Sequence, residues 1–129
     1  MKQYNKAINA INNTIRISPK AHDLYLTGGV FYEKIKDTIS SKKYFQKSLQ
    51  ICDAVLDTMH SINKDYLMLA SNKAVTLIML GQQTKADELL KQLANTENDE
   101  EIKKNILLMV GKKKEDLIEQ MTSAPSNTK

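Results

Sequence analysis

The stretch HDLYLTGGVFYEKIKDTISSKKYFQKSLQICDAV, residues 22–55, decides how this chain folds. Within it, Ser41-x3-Phe45-x2-Ser48-x4-Asp53 alternates small, bulky apolar and small side chains at helical spacing. The same spacing occurs 34 residues earlier, as Ala7-x3-Ile11-x2-Thr14-x4-Pro19. Small residues at such positions let neighbouring helices approach closely, and the bulky one fills the gap between them. A 34-residue period is that of a helix-turn-helix repeat.

Working outward, apolar or small side chains at Tyr4, Ala7, Ile8, Ile11, Thr14 and Ile15 mark one face of a helix over residues 4–17. Ser18-Pro19 ends it, because the residue before proline avoids the α region. A second helix spans His22 to Lys34. A third, capped by Asp37 or Thr38, continues through Tyr44, Phe45, Leu49, Cys52, Val55 and Leu56 to Met59. His60-Ser61-Ile62-Asn63 is the expected turn. A fourth helix covers Lys64–Leu80 and stops at Gly81, a natural C-terminal cap. A fifth runs from Thr84 to Ala94. Asn98 followed by Glu101 resembles a capping signal for a sixth, which runs to Val110 and stops at Gly111. A seventh covers Lys112–Met121, and Thr122–Lys129 has nothing to bury and is expected to be disordered.

Composition agrees. With 129 residues the chain fits one domain, and only 4 Gly and 2 Pro favour helices joined by short turns. The net charge is +4. Residues 1–64 hold ten Lys+Arg against five Asp+Glu, and residues 65–129 hold nine against ten. The basic half suits an acidic partner, but the excess is too small to require nucleic acid. The apolar runs at 75–80 and 106–110 are far too short to span a membrane, and no signal-peptide core follows Met1. The compartment stays open: cytoplasmic is the default, and a removed N-terminal signal would make it periplasmic or lipid-anchored.

On these residues the chain resembles the tetratricopeptide repeat family. Tyr25, Gly28-Gly29 and Tyr32 fall where the family has an aromatic, a Leu-Gly pair and a Tyr. Leu80-Gly81, Ala86, Leu90 and Leu93 match its turn glycine and second-helix positions. The family's tryptophan is absent, and Ser41 and Asp53 replace its usual Ala and Pro. The resemblance covers residues 4–94 and implies a short right-handed α-solenoid of about seven helices in antiparallel hairpins. Residues 1–121 would form one domain: 1–21 the second half of a repeat, 22–55 a repeat, 56–97 a lengthened repeat and 98–121 a capping hairpin, with 122–129 as tail. Eleven residues, about three helical turns, separate the third copy from the regular period.

Enzyme chemistry finds little support in the residues. His22 and His60 are far apart and stand in no metal-ligand spacing. Cys52 lies in the apolar phase of its helix, as a structural thiol does. Gly28-Gly29 sits inside a helix rather than in a phosphate-cradling loop. Lys103, Lys104 and Lys112-Lys113-Lys114 lack interleaved aromatics for base stacking, so they read as a solvated face and nucleic acid is not expected as a partner. No catalytic residue, metal or cofactor is expected.

The resemblance implies a concave groove that receives a peptide or helix of another protein. It places Asp23, Leu26, Thr27, Val30 and Lys34 beside Met68, Asn72, Val75 and Met79, the last four spaced i, i+4, i+7, i+11. Methionine suits surfaces that accept varied partners. The competing expectation is that the sixth helix covers this stripe and makes it core. The family's carboxylate-holding Lys and Asn positions are Leu26 and Val30 here, so chaperone-tail binding of that kind is not expected. The expected function is a non-catalytic protein-binding module. The alternative is a structural or self-assembly subunit, or a fragment of a longer tetratricopeptide protein, with self-association through Ile8, Ile11 and Ile15.

Overall fold

The structure, a computed structural model, describes residues 2–61 and 63–123. Ile62 in the expected turn and residues 124–129 of the expected tail lie outside the described residues. Seven helices and no strand occur among those described: α1 (Lys2–Ile17), α2 (His22–Lys34), α3 (Thr38–Leu56), α4 (Lys64–Met79), α5 (Gln83–Thr96), α6 (Glu100–Leu108) and α7 (Lys114–Thr122). From α1 to α6 each helix packs on the next. The last helix breaks that order, because α7 packs chiefly on α2.

The helix ends follow local chemistry. The Asp37 carboxylate accepts from the N–H of Ser40 at 3.1 Å and starts α3. That hydrogen bond, with a second from the Ser40 hydroxyl, holds the carboxyl below its usual range. Asn63 accepts from Tyr66 N–H at 2.9 Å and starts α4. At the other end of α4, Gly81 takes φ +80, and the Gln82 N–H reaches back to Leu77 O at 2.8 Å. Asp99, not Asn98, caps α6, accepting from Glu101 and Ile102 N–H. A carboxylate at this position also meets the positive end of the helix dipole. The third helix ends at Leu56, three residues short of Met59, where Thr58 bonds back to Val55 O at 2.7 Å.

The core centres on α4, whose Leu69, Ala70 and every residue from Ala74 to Met79 are buried. Of the small residues singled out by the repeat, Ser41, Ser48 and Ala86 are buried and Thr14 is exposed; Phe45, Cys52, Leu77 and Leu90 are buried. The Ser48 and Thr76 hydroxyls meet at 3.3 Å, and Thr76 donates to Asn72 O at 2.8 Å, so this polar pair is satisfied inside the core. Ala7, Tyr32 and Leu49 are only half-buried. Tyr32 keeps its hydroxyl within reach of Asn12, and Leu49 borders an open cleft with Asp53 and Lys73.

Between α2 and α3 the packing leaves no slack. A Cβ on Gly29 would stand 2.5 Å from Phe45 Cε1, and one on Gly28 would stand 2.8 Å from Tyr44 Cδ2. Tyr44 meets Tyr32 edge-on at 5.0 Å and Tyr25 at 5.5 Å, and its hydroxyl donates to Asn12 of α1. Burial and the neighbouring Tyr32 push the Tyr44 phenol up to about 12.

Gly29→Ala should therefore destabilise the protein by about 1–3 kcal/mol, the usual cost of overpacking. It should do so although removing a mid-helix glycine favours the helix by about 1 kcal/mol. An unchanged midpoint in urea would show that Phe45 yields. A second expectation concerns pH. Burial raises the Cys52 thiol from 9.0 to about 11. A folded state that holds its proton more tightly keeps this stability below pH 9 and loses it as pH rises through about 11. The thermal midpoint should fall more steeply over that window in the wild type than in Cys52→Ala.

Candidate functional site

Helix α4 carries the predicted stripe, and its packing divides that stripe in two. Met79 is 3% exposed and Val75 8%, while Met68 is 56% exposed. On α2, Leu26 and Val30 are buried in the same cluster as Val75 and Met79. These four are core and cannot meet a partner without moving a helix. The open groove expected from the resemblance is filled over this length. The sixth helix packs chiefly on α5 and gives Ile106 to the cluster, and α7 gives it Leu117.

The remaining predicted residues stay accessible in part. Asp23 is exposed, while Thr27, Lys34 and Asn72 are half-buried. Asn72 Nδ2 donates to His22 Nε2 at 3.0 Å, which ties α4 to the first turn of α2. That contact gathers His22 and Asn72, with Asp23 next in chain and Met68 one turn away on α4. Lys34 lies apart from this group, 3.6 Å from Glu119 of α7 and 5.8 Å from the centre of the Tyr4 ring.

Because α6 leans on α5, an open cleft of 210 Å³ remains between α6 and α4. Leu67, Met68 and Ser71 line one side, and Ile102, Asn105 and Met109 the other. Its wall is mostly apolar, with the Ser71 hydroxyl and Asn105 amide as polar points. Sequence reasoning missed the α6 side. A signal was present, since Ile102, Asn105 and Met109 fall at i, i+3, i+7 and share a face. Leu107 and Leu108 are both exposed, which two adjacent leucines on a helix packed along one side permit.

The face proposed for self-association is largely covered within the chain. Ile8 is 5% exposed, and Ile11 and Ile15 are half-buried on a helix whose main packing partner is α2. Among the described residues no three His, Cys, Asp or Glu side chains are grouped to hold a metal, and no helix is long and apolar enough to cross a membrane.

Val75→Glu would place a carboxylate inside this cluster without a partner. It should destabilise the fold by roughly 3 kcal/mol or more. A variant that keeps its urea midpoint would show that the α4 stripe opens in solution. Comparison with family models finds no match to this chain, and neither curated proteins nor solved structures match it.

Proposed function

We propose that this chain is a non-catalytic protein-binding module of tetratricopeptide-like helices. In this reading it holds an amphipathic helix or peptide of another protein at the α4/α6 cleft. One observation carries the proposal: Met68 stands 56% exposed at the lip of an apolar cleft with two polar points. An exposed thioether beside an unfilled apolar wall suits a partner's apolar anchors, and Ser71, Asn105 and Asn72 suit its polar edge. The order of packing from α1 to α6, and the burial of Ser41, Ser48 and Ala86 at the repeat's small positions, support the tetratricopeptide-like arrangement.

A structural or self-assembly role is the second reading. Ile17, Ile39 and Leu108 favour it, being large aliphatic side chains that stay exposed away from the cleft.

One experiment separates the two. Helical peptides selected on the wild-type protein from a displayed library should lose at least about tenfold in affinity on Met68→Glu, since a buried apolar contact is replaced by a charge. The thermal midpoint should barely move. Selected peptides that bind Met68→Glu as well as wild type would overturn the binding reading. An oligomer that Leu108→Glu dissolves would establish the second one.

A further inference from the structure

Helix α7 turns away from the helix it follows and rests on α2. Its attachment is light. Leu117 is its one buried side chain among the described residues, and Ile118 is half-buried beside it. Two ion pairs flank them: Lys114 with Glu33 at 3.2 Å, and Glu119 with Lys34 at 3.6 Å. The Glu119 side chain is 77% exposed. An open crevice of 440 Å³ separates the two helices, with Glu33, Lys34 and Lys36 on one side and Lys114, Glu115 and Ile118 on the other. No side chain caps the N-terminus of α7, and nine residues do not sustain a helix alone. Its connector turns through Gly111 at φ +83.

These features describe a bound ligand more than a structural helix. We propose that α7 is a resident, displaceable occupant of a docking seat on α2. The seat's own ligand is an amphipathic helix from a partner protein. That helix has the charge order of α7: a basic residue one turn before an aliphatic pair, and an acidic residue directly after it. The chemistry follows from the seat. Glu33 and Lys34 are adjacent on α2 and of opposite sign, so they fix the direction in which a helix can lie. The apolar pair Leu117-Ile118 lies between Lys114 and Glu119 in α7, and Leu117 is buried.

Tethering sets the threshold. A short connector holds α7 at an effective concentration of about millimolar, so an external helix of similar chemistry competes poorly until α7 is released. The partner's affinity is thereby gated by this chain's own last described helix. The inference rests on the reading of the chain as a binding module, but it uses a different surface from the Met68 cleft.

The test uses the 129-residue chain and a labelled synthetic peptide of residues 112–123. Leu117→Asp in the protein should release α7 and tighten binding of the wild-type peptide at least about tenfold over the unmodified protein. A peptide carrying Leu117→Asp should not bind. A peptide carrying Lys114→Glu with Glu119→Lys should bind about fivefold more weakly, as two partly exposed ion pairs allow. A folded Leu117→Asp protein that binds the wild-type peptide no better than the unmodified protein overturns the proposal. Hydrogen exchange on the wild-type chain decides the matter if that variant unfolds. Amides of α7 should exchange ~100-fold faster than those of α4, as a separately opening unit does. Equal protection would make α7 part of the core and overturn the proposal, and so would a wild-type dimer that exchanges α7 between copies. Adding Met68→Glu to the Leu117→Asp protein should leave peptide binding unchanged, so this result and that at the α4/α6 cleft are read separately.

Discussion

One edge of the Phe45 ring packs on the bare backbone of Gly29 in α2, and the rest of the fold is arranged around that contact. Two adjacent glycines in a helix interior each cost about 1 kcal/mol in helix propensity. What offsets the cost is burial of a phenylalanine, roughly 1.5–3 kcal/mol, with a partner backbone for a floor. Any Cβ at Gly29 would stand inside the ring's own contact distance. The same approach sets Tyr44 between Tyr25 and Tyr32 and brings its hydroxyl to Asn12, so α1 is fixed to the α2–α3 pair through one residue. Ser48 and Cys52 follow Phe45 at i+3 and i+7 on the same face of α3 and leave room for α4 to close in, where Ser48 meets Thr76. Both contacts come from one face of α3, which carries the small and bulky residues of the repeat.

Local signals account for what was legible in the sequence. Ser18-Pro19, Gly81 and Gly111 mark ends that the backbone confirms, and the positions 41, 45, 48, 86 and 90 are all buried as their spacing implied. Periodicity gives the phase of a helix but not how many neighbours surround it. Helix α4 shows the difference. Its Ala70, Ala74 and Leu77 face is core, and Val75 and Met79 on the adjoining stripe are buried too. A helix packed by α3 on one side and α5 on the other, with α2 also close, buries more than one stripe. The return of α7 to α2 had no local signal at all. Its evidence is a pair of charges more than eighty residues away in sequence, and such pairings emerge only from the assembled chain.

Of the nine residues expected to line a groove, the split into buried and accessible ones has a geometric cause. Helix α7 packs on α2, and its Lys114 lines one crevice with Met79 at the buried end of the stripe. The other half would need α6, but α6 is nine residues long, about 14 Å, and its packing goes to α5. Met68 is thus left at the edge of a cleft between two helices that flank it without closing over it. Its exposure follows from where α6 leans, and no charge on α4 itself keeps it out of the core.

The two candidate surfaces share a physical origin. The helices α2 to α5 have 13 to 19 residues each and bury most of the core side chains, so they act as a platform. The two nine-residue helices that follow bury one side chain apiece, Ile106 and Leu117. Short helices with few buried side chains lie at the low end of local stability, where binding segments are commonly found. Each of them leaves an open crevice against the platform, α6 beside Met68 and α7 beside Lys34. An arriving helix can therefore add apolar contact at either place without disrupting Phe45 and its floor. The Phe45 contact lies between two long helices, and the candidate surfaces lie where the two short helices meet the platform.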